Sequence, residues 1–144
     1  MYLVCGLLFV KKNIIKKVSF DIVLNEQQAC SSPQVLYLET ESFEVCKDYA
    51  ESLFTYLKIE SQKVATPILD IQEQAEITNQ VELANLESPM DLAMVYEPED
   101  KSFRIIVEKN PGLRPSPLFR TILIKPLPSD KIINVLHPWR TYLQ

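Results

Sequence analysis

Glycine is scarce in this chain: only Gly6 and Gly112 occur among its 144 residues. A phosphate- or dinucleotide-binding loop needs several glycines, because its backbone must approach the ligand closely or adopt a positive φ angle. The sequence contains neither a GxGxxG nor a GxxxxGK[ST] segment. It therefore excludes the two common nucleotide-binding loops, and we expect no cofactor.

Histidine and cysteine are also sparse. The single histidine, His137, would have to serve any Ser–His–Asp or Cys–His arrangement, and nothing around the serines or cysteines resembles one. Cys5, Cys30 and Cys46 are an odd number and lack the CxxC spacing typical of a metal or redox pair. We interpret them as buried, reduced thiols of a cytoplasmic protein, and we expect no metal site.

Long apolar runs are absent as well. No stretch approaches the ~18 uninterrupted apolar residues of a membrane-spanning helix. Residues 2–10 are apolar, but no positive charge precedes them, so they indicate a buried strand and not a signal peptide. With 47% apolar and 24% charged residues, the composition is that of a globular protein, and the length predicts one domain over residues 1–144.

The hydrophobic pattern predicts an α+β fold with a mainly antiparallel sheet, one long amphipathic helix packed on it and a short C-terminal helix. Phe43, Cys46, Ala50, Leu53 and Leu57 recur at helical spacing, which places the long helix at residues 42–58. The short helix follows residue 129. The predicted strands cover residues 2–10, 14–24, 35–38, 65–71, 77–83, 92–96, 103–107 and 118–124. The first two strands and the pair 92–96 and 103–107 are interpreted as hairpins.

Charge is distributed unevenly along the chain. Ten acidic residues and one lysine lie between positions 60 and 100, whereas eight basic and two acidic residues follow position 100. The acidic and basic segments would either face and neutralise each other or form a polarised surface that steers a charged partner. The leading hypothesis is therefore a non-enzymatic interaction module that binds a protein partner around the proline-rich loop at residues 110–117. The proposed partner-binding residues are Arg114, Phe119, Arg120 and Arg140.

Two other functions remain open. The basic C-terminal third favours nucleic-acid binding through Lys109, Arg114, Arg120 and Lys125, although the pI of about 5.1 argues against it. A metal-dependent hydrolase would need a carboxylate site. Its candidate residues are Asp91, Glu99 and Lys101, which we interpret instead as charges of a solvated turn. A homodimer would follow if residues 2–10 formed an unpaired sheet edge.

Overall fold

The strands form one mixed sheet in the computed structural model, which describes residues 2–4 and 12–139. The strands are β1 (Tyr2–Val4), β2 (Val35–Leu38), β3 (Ala93–Tyr96), β4 (Arg104–Glu108) and β5 (Thr121–Pro126). The helices are α1 (Lys12–Val23), α2 (Phe43–Ser61), α3 (Ile71–Glu87) and α4 (Ile132–Leu136). The spatial order of the strands is β1-β2-β5-β4-β3. The combination of helices and strands confirms the α+β expectation.

Most strand pairs in this sheet are parallel. β1 pairs with β2, β2 with β5 and β5 with β4 in parallel, and only β3 pairs with β4 in antiparallel orientation. The expectation of a mainly antiparallel sheet is therefore wrong. The physical reason is that parallel strands need long crossovers: helix α1 supplies the one from β1 to β2, and the helix-free residues 109–120 supply the one from β4 to β5. Strands buried on both faces show continuous apolar runs, and all six residues of β5 are buried.

Two layers of helix cover the two faces of the sheet. On one face, Ile122 and Ile124 of β5 pack with the buried side of α1 and α2. On the other face, Leu123 and Tyr37 pack with Ile77 of α3. Because alternate strand residues point to opposite faces, β5 contributes to both cores.

The segment 14–24 was predicted as the second strand of a hairpin, and it is helix α1 instead. Ile15, Val18, Ser19, Ile22 and Val23 are buried, which is the i, i+3, i+4, i+7, i+8 stripe of a helix. The prediction gave too much weight to β-branched residues and to a local alternation. The other part of that hairpin, residues 5–10, lies outside the described residues.

The long helix at residues 42–58 is confirmed as α2. The Ser42 side chain caps it by accepting a hydrogen bond from the Val45 amide at 3.3 Å. The helix ends at Ser61, three residues beyond the predicted end, and it buries Cys46, Ala50 and Leu57 as expected.

The two strands predicted at residues 65–71 and 77–83 do not form. Residues 71–87 are helix α3, which begins with a capping box: Asp70 accepts a hydrogen bond from the Glu73 amide, and the Glu73 carboxylate accepts one from the Asp70 amide, both at 2.8 Å. Only Ile77, Val81 and Ala84 of this helix are buried. So narrow an apolar stripe carries a weak periodic signal.

The remaining elements agree more closely with the sequence. The hairpin of β3 and β4 and the short helix α4 are confirmed. β5 begins at Thr121, three residues later than predicted, because Leu118, Phe119 and Arg120 have φ angles of 66°, 49° and 61° and cannot continue a strand. Among the helices of the described residues, none has the length and apolarity required to cross a membrane.

Candidate active site

Two short runs of left-handed backbone mark one end of the sheet. Asn25, Glu26 and Gln27 have φ angles of 52°, 54° and 62°, and the second run is formed by the three residues before β5. Each such conformation costs about 1–3 kcal/mol in a non-glycine residue and persists only where surrounding contacts enforce it, commonly at functional sites. The two runs touch, since the Phe119 amide donates to the Glu26 carbonyl at 3.0 Å.

A buried ion pair joins the same two runs. The Arg120 guanidinium is completely buried, and its Nε and Nη2 donate to the two carboxylate oxygens of Glu26 at 2.8 and 2.5 Å. Nη2 also donates to the Ala65 carbonyl at 2.7 Å, and the Val64 carbonyl lies at 3.5 Å. We call this arrangement of Arg120, Glu26 and the carbonyls of Val64 and Ala65 the Arg120 clamp.

The loop that follows the first left-handed run exposes a thiol. Cys30 comes four residues after Glu26 and is exposed to solvent. Its loop is closed by a hydrogen bond from the Ser32 amide to the Ala29 carbonyl at 2.9 Å. The buried Gln27 side chain closes it further, because its Nε2 donates to the Pro33 carbonyl at 2.7 Å. Cys30 is thus presented just before β2.

The cysteines do not share one environment, so the expectation of three buried thiols is wrong. Cys30 is exposed, Cys46 is buried in the core between the helices and the sheet, and Cys5 lies outside the described residues. Burial raises the pKa of the Cys46 thiol to about 12. Since the thiolate is the reactive form of cysteine, Cys46 is inert in the folded protein and Cys30 is available as a nucleophile.

This difference predicts selective alkylation. With iodoacetamide at pH 8, we expect Cys30 to be modified in the native protein and Cys46 to react only after urea unfolds the core. Peptide mass spectrometry with a time course of labelling measures both rates. Equal labelling of Cys30 and Cys46 in native buffer would contradict the environments described above.

A second charged cluster lies away from this loop, at the end of β4. Glu108 binds Lys125 Nζ at 2.6 Å and Arg114 Nε at 2.8 Å, and Arg114 also donates to Gln80. Lys125 donates to the Gly112 carbonyl at 2.5 Å, and its side chain is only 2% exposed. One carboxylate therefore serves two buried or half-buried cations, and the cluster fixes the loop 109–117.

The pKa values in this cluster follow from the pairing of one carboxylate, that of Glu108, with two cations, Arg114 and Lys125. Burial disfavours the charged form of Glu108, but the hydrogen bonds and charges of Arg114 and Lys125 outweigh it, and the Glu108 pKa is lowered. The pKa of Lys125 is lowered too, because burial and the charge of Arg114 together outweigh the attraction of Glu108. Glu108 is therefore ionised at neutral pH.

The described residues among those predicted to bind a partner are buried or paired within the protein. Arg120 is buried in its clamp, Phe119 is 9% exposed, and Arg114 is paired with Glu108. Arg140 lies outside the described residues. Of the residues predicted to bind nucleic acid, Lys109 is exposed and Lys125 is buried. A contact with another molecule at these positions stays a prediction.

The carboxylates considered for a metal site lie apart in turns. Asp91 is 3.5 Å from Lys47, and Glu99 and Lys101 are exposed in the turn between β3 and β4. Within residues 2–4 and 12–139, no group of three histidine, cysteine or acidic side chains is placed to hold a metal ion.

Comparisons with solved structures identify the fold. A bifunctional proline utilization A protein aligns with a TM-score of 0.56 and 13% identity over 89% of this chain and 14% of its own. A mutant of the Bradyrhizobium japonicum proline utilization A protein aligns with a TM-score of 0.59 and 12% identity, over 90% of this chain and 14% of its own. The NAD-bound Delta-pyrroline-5-carboxylate dehydrogenase from Mycobacterium tuberculosis aligns with a TM-score of 0.55 and 10% identity, over 96% of this chain and 27% of its own. The chain thus spans between about one seventh and about one quarter of these proteins.

A comparison with protein families identifies the relationship. No curated protein matches the sequence. The model of the family described as acyl-CoA reductase (LuxC) matches residues 9–144. This match overturns the prediction of a non-enzymatic interaction module, together with its nucleic-acid and metal-hydrolase alternatives. Those hypotheses depended on missing motifs, and an exposed thiol in an ordered loop needs none of the motifs that were sought. By this match over nearly its whole length, the chain belongs to the LuxC family of acyl-CoA reductases.

Proposed function

We propose that this chain accepts the acyl group in acyl-CoA reduction, with Cys30 as the nucleophile. The sulfur of Cys30 attacks the thioester carbonyl carbon, the bond from that carbon to the coenzyme A sulfur breaks, and coenzyme A leaves as its thiol with the proton that Cys30 gave up. The product is an acyl thioester on Cys30. The observation that carries this proposal is the exposed Cys30 thiol in a fixed loop, in a member of a family named for acyl-CoA.

The hydride-transfer half of the reaction is not assigned to these residues. A reductase needs a hydride donor, and a dinucleotide loop needs several glycines that open a helix. Gly112 is the one glycine among the described residues, and a Cβ there would lie 3.1 Å from Asn110 Oδ1 in a loop that leads to a strand. The described residues do not fit a dinucleotide, so we derive no step through one.

Acylation without any reductant tests the proposal. We expect the chain mixed with hexanoyl-CoA and quenched in acid to gain the mass of one hexanoyl group, measured by intact-protein mass spectrometry. Cys30→Ala should gain less, because Cys30 is the accessible thiol among the described residues. Since Cys30 is exposed, that substitution should change the free energy of unfolding by no more than about 0.5 kcal/mol.

Cys46→Ala is the matched control, because it removes a thiol that is buried and unreactive. It should be acylated like the parent protein wherever it remains folded. An unchanged mass of the parent, or equal acylation of Cys30→Ala, would refute the proposed function. A reactive free thiol persists in a reducing compartment, which supports the cytoplasmic location that we also propose.

A further inference from the structure

Arg120 makes an unusually complete set of contacts for a side chain with no exposure. Its two bonds to Glu26 are bidentate, and its remaining donors face the carbonyls of Val64 and Ala65. Burying a charge is unfavourable unless it is paired and hydrogen-bonded, and apolar groups often replace such pairs without loss of stability. The contacts of Arg120 therefore call for an explanation other than stability.

The position of Arg120 supplies that explanation. Arg120 is itself the last residue of the second left-handed run, and Glu26 is the middle residue of the first. The clamp adds residues 64–65, which follow α2, so three segments distant in sequence meet at one guanidinium. A left-handed run that ends three residues before Cys30 determines the direction in which the chain passes from α1 into the Cys30 loop, which leads to β2.

We propose that Arg120 is a positioning residue for Cys30 and acts through Glu26. The ion pair holds residues 25–27 in their left-handed conformation and thereby fixes the place at which the Cys30 sulfur meets a thioester carbonyl. This inference rests on the proposed function for its substrate, although the geometry of the loop is independent of it. Arg120 touches no reacting atom.

The chemistry of the side chain explains why arginine occupies this position. The planar guanidinium offers five donors, enough to serve two carboxylate oxygens and two carbonyls at once. Lysine keeps the charge but offers a single nitrogen, which cannot reproduce the bidentate geometry. Arg120→Lys should therefore retain part of the positioning, and Arg120→Met should retain none.

The test compares Arg120→Met and Arg120→Lys with a matched control, Arg104→Met. Arg104 also forms an ion pair of low exposure, with Glu97 at 2.9 Å, and it lies on β4 next to β5. We expect Arg120→Met to lower the rate constant for acylation of Cys30 at saturating hexanoyl-CoA by about 100-fold, as a displacement of about 1 Å does in enzymes. The half-saturating concentration should change little. Arg120→Lys should recover part of the rate, and Arg104→Met should react like the parent.

Glu26→Gln provides a second variant in case Arg120→Met does not fold. It keeps the shape of the side chain and weakens the ion pair, so we expect a smaller decrease in the same rate constant. Circular dichroism confirms that each variant is folded before rates are compared. Acylation of folded Arg120→Met or Glu26→Gln at the parental rate would overturn the proposal, as would an equal loss in Arg104→Met.

Alkylation separates this inference from the proposed function. The pH dependence of the rate of Cys30 alkylation by iodoacetamide reports the surroundings of the thiol without any acyl-CoA. If the parent is not acylated, the proposed function fails. The positioning role is then still decided by this profile, which should differ from the parent in Arg120→Met and not in Arg104→Met. Identical profiles in all three proteins would refute it.

Discussion

Replacing Glu108 by alanine should lower the free energy of unfolding by about 3–5 kcal/mol, the range observed when one partner of a buried ion pair is removed. Glu108 is the shared partner of Lys125 and Arg114. Without it, the ammonium of Lys125 would remain 2% exposed beside a second cation and would keep only the Gly112 carbonyl as an acceptor. The loss would be one of electrostatics, since the side chain contributes little to the apolar core.

Graded variants distinguish this cause from simple loss of packing. Glu108→Gln keeps the shape and one acceptor, so its cost should be smaller than that of Glu108→Ala. Lys125→Met removes a buried charge and leaves Glu108 paired with Arg114, and it should cost least. Urea unfolding at pH 7, followed by circular dichroism, gives all three values. A cost below about 0.5 kcal/mol for Glu108→Ala would contradict the described cluster.

The pH dependence of stability has a definite sign for this residue. Because the pKa of Glu108 is lowered in the folded state, its contribution is fully present above its ordinary pKa of 4.5 and is lost as pH falls through the folded pKa. The parent should therefore lose more stability between pH 6 and pH 3 than Glu108→Gln. The difference between the two urea midpoints across this range measures the contribution.

Replacing Phe103 by alanine should cost about 3–5 kcal/mol, the usual cost of truncating a buried aromatic ring. Phe103 has no exposure, and its ring centroid lies 5.1 Å from that of Phe54 with the planes tilted by 60°. It immediately precedes β4 and belongs to the core shared by α1, α2 and the sheet. Truncation would remove the aromatic pair and leave a cavity.

Ile71→Ala is the matched control for the Phe103 variant. Ile71 is also a large apolar residue, but it is 86% exposed at the first position of α3. Its truncation should change the free energy of unfolding by no more than about 0.5 kcal/mol. Similar costs for Phe103→Ala and Ile71→Ala would show that the two side chains do not differ in burial as described.

Local sequence signals predicted the elements whose pattern is strong. Helix α2 has both an apolar stripe and a serine N-cap, and the hairpin of β3 and β4 has two apolar runs around a polar turn. Helices α1 and α3 were not predicted, for different reasons. In α1 the β-branched residues imitate a strand, while in α3 the apolar stripe is narrow and the Asp70–Glu73 capping box was the signal that was missed.

The candidate active site could not be predicted from local patterns, because its essential contacts are long-range. Arg120 and Glu26 are 94 residues apart in sequence, and no local sequence pattern near either residue indicates that they form a pair. Cys30 is one of three cysteines, and only the fold distinguishes its exposed loop from the buried Cys46. The proline and glycine content correctly marked residues 109–117 as a loop, but the ion pair of Arg114 with Glu108 could not be predicted from it.

Charge along the sequence was similarly a poor guide to exposed charge. The basic residues after position 100 were expected either to neutralise the acidic segment or to contact another molecule. Several of them form ion pairs of low exposure within the protein, among them Arg104 with Glu97, Arg120 with Glu26 and Lys125 with Glu108. Arg104 and Lys125 lie within strands and Arg120 directly before one, so their places in the sheet, and not the net charge of their segment, bring them beside carboxylates.

The most direct measurement locates the acyl group after reaction with hexanoyl-CoA. Trypsin should release residues 18–47 as one peptide, since no lysine or arginine lies between Lys17 and Lys47, and this peptide contains both Cys30 and Cys46. Fragmentation of that peptide by mass spectrometry distinguishes the two sulfurs. The hexanoyl mass on Cys30 alone is the result we predict. A hexanoyl group on Cys46, or none on this peptide, would contradict the assignment of Cys30 as the acyl acceptor.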